Sequence, residues 1–173
     1  WSVISGGAYG IDGVAHRCAL AADGTTVAVL ACGLDRDYPA GHARLIAEIA
    51  RTGVVVSEYR PGTSAAKHRF LTRNRLVAAL SRAVVVVEAG GRSGAANTAA
   101  WTRKLGLPLG AVPGPVTSAT SIGCHRMIAD GVAQLVTSSD DIIRLAEPDG
   151  VTGSEARTSS MRPTDGLDET QQR

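Results

Sequence analysis

Thirteen residues, "RFLTRNRLVAALS" from Arg69 to Ser81, hold Arg69, Arg73, Asn74 and Arg75 beside an apolar helix face of Leu76, Val77 and Leu80. A helix N-terminus already carries positive partial charge, so arginine there is locally unfavourable and implies something negative nearby. Arginine suits phosphate because its planar fork donates hydrogen bonds in pairs. Residues i and i+2 on a helix do not share a face. Arg73 and Arg75 are therefore expected to part, one toward a ligand and the other toward an acid such as Glu58 or Glu88. The whole stretch Arg60–Arg75 carries Arg60, Lys67, Arg69, Arg73 and Arg75, with His68 and no acid. Such a block fits a polyanion, and equally a solvated surface loop.

Two glycine-rich turns offer further chemistry. "SGGAYGID", Ser5 to Asp12, places Gly6, Gly7, Ala8 and Gly10 between an apolar run and a helical pattern. Glycines let the backbone approach a ligand, and free N–H groups ahead of a helix attract anions. The turn is neither GxGxxG nor a phosphate-binding GKS/T loop. "EAGGRSGAANTA", Glu88 to Ala99, places Ser93 as a helix cap before Gly94, Ala95 and Ala96, with a hydroxyl at Thr98 and a charge at Arg92. Each turn alone reads as well as a plain strand-to-helix connection as it does as an anion site. Tyr9, Tyr59 and Phe70 flank these loops and are available to stack on bases, or to anchor the loops.

Catalytic sets are sparse. "GRSGA" is not a GxSxG nucleophile elbow. Asp12 and His16 stand i, i+4 with no nucleophile to complete them, and local pairing on the helix is expected. Glu58 and Glu88 close apolar runs and are expected to pair with arginine rather than act as acid and base. His16, His42, His68 and His125 are scattered, which argues against a metal site.

These residues must be positioned by an α/β scaffold. Val-rich runs without alternation at 2–5, 25–32, 53–58, 83–89, 107–114 and 133–137 read as strands buried on both faces. Helical patterns lie between them at about 11–22, 41–51, 72–81, 94–105 and 122–130. A last helix starts at Ser138 or Ser139, with Asp140 and Asp141 in its first turn. Alternation of this kind predicts a mostly parallel sheet flanked by helices, with ligands at the carboxyl ends of the strands.

The 173 residues are 44% hydrophobic and only 3% aromatic, enough for an aliphatic core. Residues 1–148 carry a net charge of +4 and residues 149–173 a net charge of −2. Residues 1–147 read as one domain, and 148–173, rich in Gly, Ser, Thr, Pro and charge, as a disordered tail or linker. Cys18, Cys32 and Cys124 form no CxxC pair and read as reduced thiols. No apolar run approaches the ~18 residues of a membrane span. No signal-peptide pattern opens the sequence, and a cytoplasmic location without membrane contact is expected.

The motifs occur together in a recognisable order. "SGGAYGID", "VAVLACGLDRDYP", "VVSEYRPG", "RNRLVAALS", "VVVVEAGGRSGAANTA" and "AVPGPVTSATSIGCHRMIADGVAQLV" resemble the DNA-processing protein A family, also called DprA or Smf. The resemblance covers about residues 2 to 146. It implies an extended Rossmann-like fold and single-stranded DNA binding without sequence preference. It also implies protection of incoming strands in natural transformation, help in loading the RecA recombinase, a homodimer, no cofactor and no catalysis. By position it implies DNA or phosphate contacts from Ser5, Gly6, Gly7, Ala8, Gly10, Lys67, Arg69, Arg73, Asn74, Arg75, Ser93, Gly94 and Thr98, with Lys67 and Arg69 in a basic loop.

Three departures accompany it. The chain opens at Trp1 directly on apolar Val3 and Ile4, as if entered in mid-fold, so the family's first strand and its Gly-Ser-Arg loop are expected to lie before it. The helical and winged-helix domains that flank this unit in some members are not in these residues. A Gly-Thr-Asn-like helix start stands here as Gly123-Cys124-His125. Two other readings compete. One is a phosphoribohydrolase-like nucleotide enzyme of the lysine-decarboxylase-like family, whose PGGxGTxxE loop is matched here only by "EAGGRSGAANTA", without the proline or the glutamate. The other is a partner-binding domain whose basic loop faces an acidic protein.

Overall fold

The structure is a computed structural model that describes residues 1–91 and 93–147. The tail expected over 148–173 lies outside the described residues, apart from which the element order follows the strand–helix alternation. Strand β1 (Val3–Ser5) leads to helix α1 (Ile11–Ala21), β2 (Thr26–Val29), α2 (Ala43–Thr52) and β3 (Val54–Val56). Helix α3 (Lys67–Ala79) then crosses to β4 (Val84–Val86), α4 (Gly94–Lys104), β5 (Leu109–Ala111), α5 (Ile122–Ala129), β6 (Gln134–Leu135) and α6 (Ser139–Ala146).

All strand pairing is parallel, but it forms two sheets rather than one. One has the order β1-β2-β3 and the other β4-β5-β6. Val3 pairs with Thr26 and Val27 with Val54 in the first, and Val84 with Leu109 and Gly110 with Gln134 in the second. Each sheet has its own apolar cluster. Ala28, Leu30, Cys32, Ile46 and Ile49 fill the first. Ala78, Val86, Ala99, Leu109, Ala111 and Cys124 are prominent in the second. Full burial of a side chain such as Leu30 or Ile49 contributes about 1.5–3 kcal/mol. The cores are aliphatic and small-residue, as the composition requires.

Helix α3 starts at Lys67, not near residue 72. Lys67, His68 and Arg69 thus form its first turn, and the expected basic loop is helical. Apolar spacing marks only the later turns of this helix, while its first turn, Lys67, His68 and Arg69, leaves no apolar trace. Helix α6 is capped as expected. The Ser138 hydroxyl accepts from the Asp141 N–H and the Asp141 carboxylate accepts from the Ser138 N–H, a complete capping box. Cys18, Cys32 and Cys124 are all free. Burial pushes the Cys32 and Cys124 thiols up, against ionisation.

Candidate nucleic-acid interface

Three consecutive residues of α3 fasten three different loops. A helix advances about 100° per residue, so Arg73, Asn74 and Arg75 point in different directions. Arg73 is 5% exposed, and its Nη1 donates to the carbonyls of Gly6, at 2.7 Å, and of Val29. Asn74 is also buried, and its Nδ2 donates to the Gly94 carbonyl at 3.2 Å and to Asn97 Oδ1 at 3.3 Å. Arg75 Nη2 reaches both oxygens of the Glu58 carboxylate, at 2.5 and 2.6 Å. Arg73 and Arg75 therefore part as expected, with Glu58 as the acid for Arg75. The triplet clamps the turns after β1, β3 and β4 to one helix.

The buried position of Arg73 changes its role from the one expected. Nη1 is committed to main-chain carbonyls, and Nε is buried without a partner. Burial draws the guanidinium below its usual pKa while the Asp12 carboxylate opposes that shift. Gly6 exists for this contact: a Cβ there would collide with the guanidinium. Arg73 is thus first a clamp on the glycine turn.

The glycine turn itself is not an open anion cradle. The N–H groups of Gly6 and Ala8 both donate to Asp12 Oδ2, each at 3.1 Å. The seat expected for a phosphate is occupied by the chain's own carboxylate. Asp12 is consequently not a hydrogen-bonding partner of His16 on the helix. His16 Nδ1 instead contacts Thr26 Oγ1 at 2.7 Å, and the Thr26 hydroxyl donates to the Val3 carbonyl. That hydroxyl proton is spent, so His16 Nδ1 is the donor, Nε2 is buried without a partner, and burial favours the neutral ring.

Gly41 and His42, which the motifs did not single out, lock the same turn from outside, together with Tyr9. His42 Nδ1 lies 3.0 Å from the Gly7 carbonyl, and the Gly41 N–H donates to the Tyr9 hydroxyl at 2.9 Å. The Tyr9 and His42 rings meet edge to face at 4.8 Å. Gly7 and Gly10 take φ of 70° and 83°, the left-handed region that glycine adopts freely. Tyr9 is thereby held rigid while 64% exposed. The nearest sequence signal was the "GLDRDYP" element that precedes His42.

At the second turn Ser93 caps α4 as expected, accepting from the Ala96 N–H at 3.4 Å. Arg92 lies outside the described residues. Ser5, Gly6, Ala8, Arg73, Asn74, Gly94 and Thr98 line one cavity of about 420 Å³ between the sheets. Gly7, Gly10, Lys67, Arg69, Arg75 and Ser93 stand outside its lining. Gly123, Cys124 and His125 serve packing. A Cβ on Gly123 would strike Ala89, Cys124 is fully buried, and His125 Nε2 lies 2.9 Å from the Gly114 carbonyl.

The start of α3 is electropositive and exposed. Lys67, His68 and Arg60 are solvent-facing, and Arg60 and Lys67 form no ion pair among the described residues. Arg69 is half-buried, donates to the Ser64 carbonyl and lies 5.6 Å from the centre of the Tyr59 ring. Phe70 rests against Tyr38 at 5.5 Å. Tyr59 and Phe70 are loop anchors, leaving Tyr9 as the exposed ring of the three. Among the described residues no group of His, Cys, Asp and Glu is placed to hold a metal. No helix among them is long and apolar enough to cross a membrane.

Comparison with known proteins places this arrangement. The family model described as DNA recombination-mediator protein A matches residues 1–147. A DNA processing protein DprA of Mycobacterium tuberculosis is 65% identical over 142 residues, which are 82% of this chain and 36% of that protein. The solved DprA of Streptococcus pneumoniae superposes with a TM-score of 0.77 at 42% identity, over 82% of this chain and 50% of that one. A Helicobacter pylori DNA processing protein A, solved to describe its single-stranded DNA binding mode, superposes with a TM-score of 0.77 at 34% identity. It is matched over 86% of this chain and 66% of its own. The chain spans between about a third and a half of the length of the M. tuberculosis and S. pneumoniae relatives. It belongs to the DNA recombination-mediator protein A family, the DprA/Smf family, and has that family's Rossmann-like α/β fold.

Proposed function

We propose that the chain binds single-stranded DNA without sequence preference in DNA uptake and natural transformation. In this reading it protects incoming strands and helps load the RecA recombinase, acting in the cytoplasm as a homodimer and not as an enzyme. The observation that carries it is that Lys67, the first residue of α3, and Arg60, in the loop ahead of that helix, are exposed and form no ion pair among the described residues. A phosphate backbone would pass Lys67 and Arg69, cross the rim formed by Ser5–Gly10 and reach Ser93, Gly94 and Thr98. Arg73, Asn74 and Arg75 hold that rim in shape, and Tyr9 offers a stacking face. The relatives' names point the same way.

The catalytic alternative is less well supported. The "EAGGRSGAANTA" turn lacks the proline and glutamate of the phosphoribohydrolase loop, and Glu58 is engaged by Arg75. Release of adenine from AMP would contradict the non-enzymatic reading. The binding test is fluorescence anisotropy of labelled poly-dT and of a mixed-sequence oligonucleotide across salt concentrations. With about three phosphates neutralised at ~0.7 each, the log–log salt slope should lie near −2 for both. A flat salt response, or binding of one sequence only, would overturn the proposal.

A further inference from the structure

The Ser5–Gly10 turn follows β1 at its carboxyl end, and its internal hydrogen bonds limit what it can offer a strand of DNA. The N–H groups of Gly6 and Ala8, a pair that would suit a phosphate, are spent on the Asp12 carboxylate. Arg73 is buried against the Gly6 carbonyl. What the turn does present is Tyr9, 64% exposed and the most open of the three tyrosines.

The ring is held before any ligand arrives. The Gly41 N–H donates to the Tyr9 hydroxyl at 2.9 Å, and the His42 ring meets it edge to face. A Cβ on Gly41 would come within 2.6 Å of that hydroxyl oxygen and 3.0 Å of ring carbon Cε1. A Cβ on Gly13 would strike the His42 ring in the same way. Gly41 thus leaves room for Tyr9, and Gly13 for the histidine that backs it. His42 is itself buried and fixed, its Nδ1 donating to the Gly7 carbonyl at 3.0 Å. An aromatic side chain fixed in this way loses little further freedom on binding, which favours affinity.

One loop links this ring to the cations. Residues 30–42 follow β2, the strand between β1 and β3. At one end Gly41 and His42 grip the Tyr9 turn. Elsewhere the Gly33 N–H donates to the Thr63 carbonyl at 2.9 Å, Asp35 accepts from the Gly62 N–H at 2.8 Å, and Tyr38 rests against Phe70. The loop therefore joins Tyr9 to the segment that carries Arg60 and to the helix that opens with Lys67. Its own charges are two anions, Asp35 and Asp37, and one cation, Arg36, so it adds no attraction for phosphate. A neutral base is the part of a nucleotide that this flank of the site suits.

We infer that Tyr9 stacks on one unpaired base and distinguishes a single strand from other polyanions, with Gly41 and His42 as its positioning residues, an inference that rests on the single-stranded DNA reading proposed above. Arg60 and Lys67 attract any polyanion, duplex DNA included. Bases in a duplex are already stacked on one another. In a single strand each base can turn a π-face to an aromatic ring, and the contact tolerates any sequence because every base has such a face.

The test is anisotropy titration with labelled oligonucleotides of about 12 residues: a dT oligomer, an abasic oligomer with the same phosphates and no bases, and a duplex. Melting temperature is the control for folding. The wild type should bind the dT oligomer roughly 5- to 150-fold more tightly than the abasic one. Tyr9→Leu should remove most of that preference by weakening dT binding alone, with abasic binding, duplex binding and the salt slope unchanged. Tyr9→Phe should keep the preference. Gly41→Ala, which displaces the ring without removing it, should reduce the preference and leave abasic binding as it was. A ring that matters only for the shape of the turn would weaken all three oligomers together in Tyr9→Leu, and that result would overturn the inference. A Tyr9→Leu or Gly41→Ala chain that keeps the full wild-type preference would overturn it too. Salt-dependent binding of dT and abasic oligomers with equal affinity by the wild type would overturn the stacking role and leave the electrostatic reading standing. A folded wild type that binds neither oligomer would overturn both.

Discussion

At the scale of single residues, the Arg73–Arg75 triplet shows how one sequence feature divides into different tasks. Arg73→Met would leave the Gly6 and Val29 carbonyls without their donor. Each unsatisfied group costs about 1–3 kcal/mol. Urea denaturation should report a loss of that order, whereas Arg75→Ala, which removes an exposed pair with Glu58, should cost less than about 1 kcal/mol. His16 supplies a pH dependence. Burial lowers its pKa, with Asp12 opposing and His42 adding to the shift, so the folded chain favours the neutral ring. Its contribution is complete above the unfolded value of about 6.5 and is lost as pH falls below it. Melting temperatures measured from pH 8 to pH 5 should decline over that range, and His16→Gln should flatten the decline. The sequence alone was enough to separate Arg73 from Arg75 and to suggest Glu58. It did not reveal that Asp12 closes the glycine turn, because a carboxylate in the first turn of a helix serves its own loop or repels a ligand with the same residue type. Burial and distance decide between the two.

At the scale of elements, capping and apolar periodicity proved the most legible signals. Ser138 and Asp141 announce α6, and the structure forms the complete box. The Asp141 carboxyl is held well below the usual carboxylate range, first by the Thr137 N–H, then by the Thr137 hydroxyl, Arg144 and Ser138. A depressed carboxyl stabilises above its unfolded pKa of about 3.9 and loses that effect as pH falls below it. Asp141→Ala should therefore lower the melting temperature at pH 7 and approach wild type at pH 2.5. A difference that persists undiminished at pH 2.5 would contradict this assignment. The start of α3 was less legible, since Lys67, His68 and Arg69 carry no apolar marker and read as loop. The Val-rich runs located every strand, yet their number could not show that β1 and β4 stay apart. Pairing is a long-range choice on which short runs of valine are silent.

At the scale of the whole molecule, two aliphatic half-cores support a rim where strand ends and helix starts meet. The family was legible because several separate motifs recur in one order, while the basic block alone left a polyanion and a solvated face equally open. The central claim is that Arg60 and Lys67 carry the electrostatic attraction and that the Arg73–Arg75 triplet holds the rim. The most direct test compares the salt dependence of poly-dT binding in the wild type and in Arg60→Ala/Lys67→Ala, with melting temperature as the control for folding. Two phosphate contacts at ~0.7 each predict a log–log slope shallower by about 1.4, with melting unchanged. A double variant that melts like the wild type and keeps the wild-type slope would contradict the account.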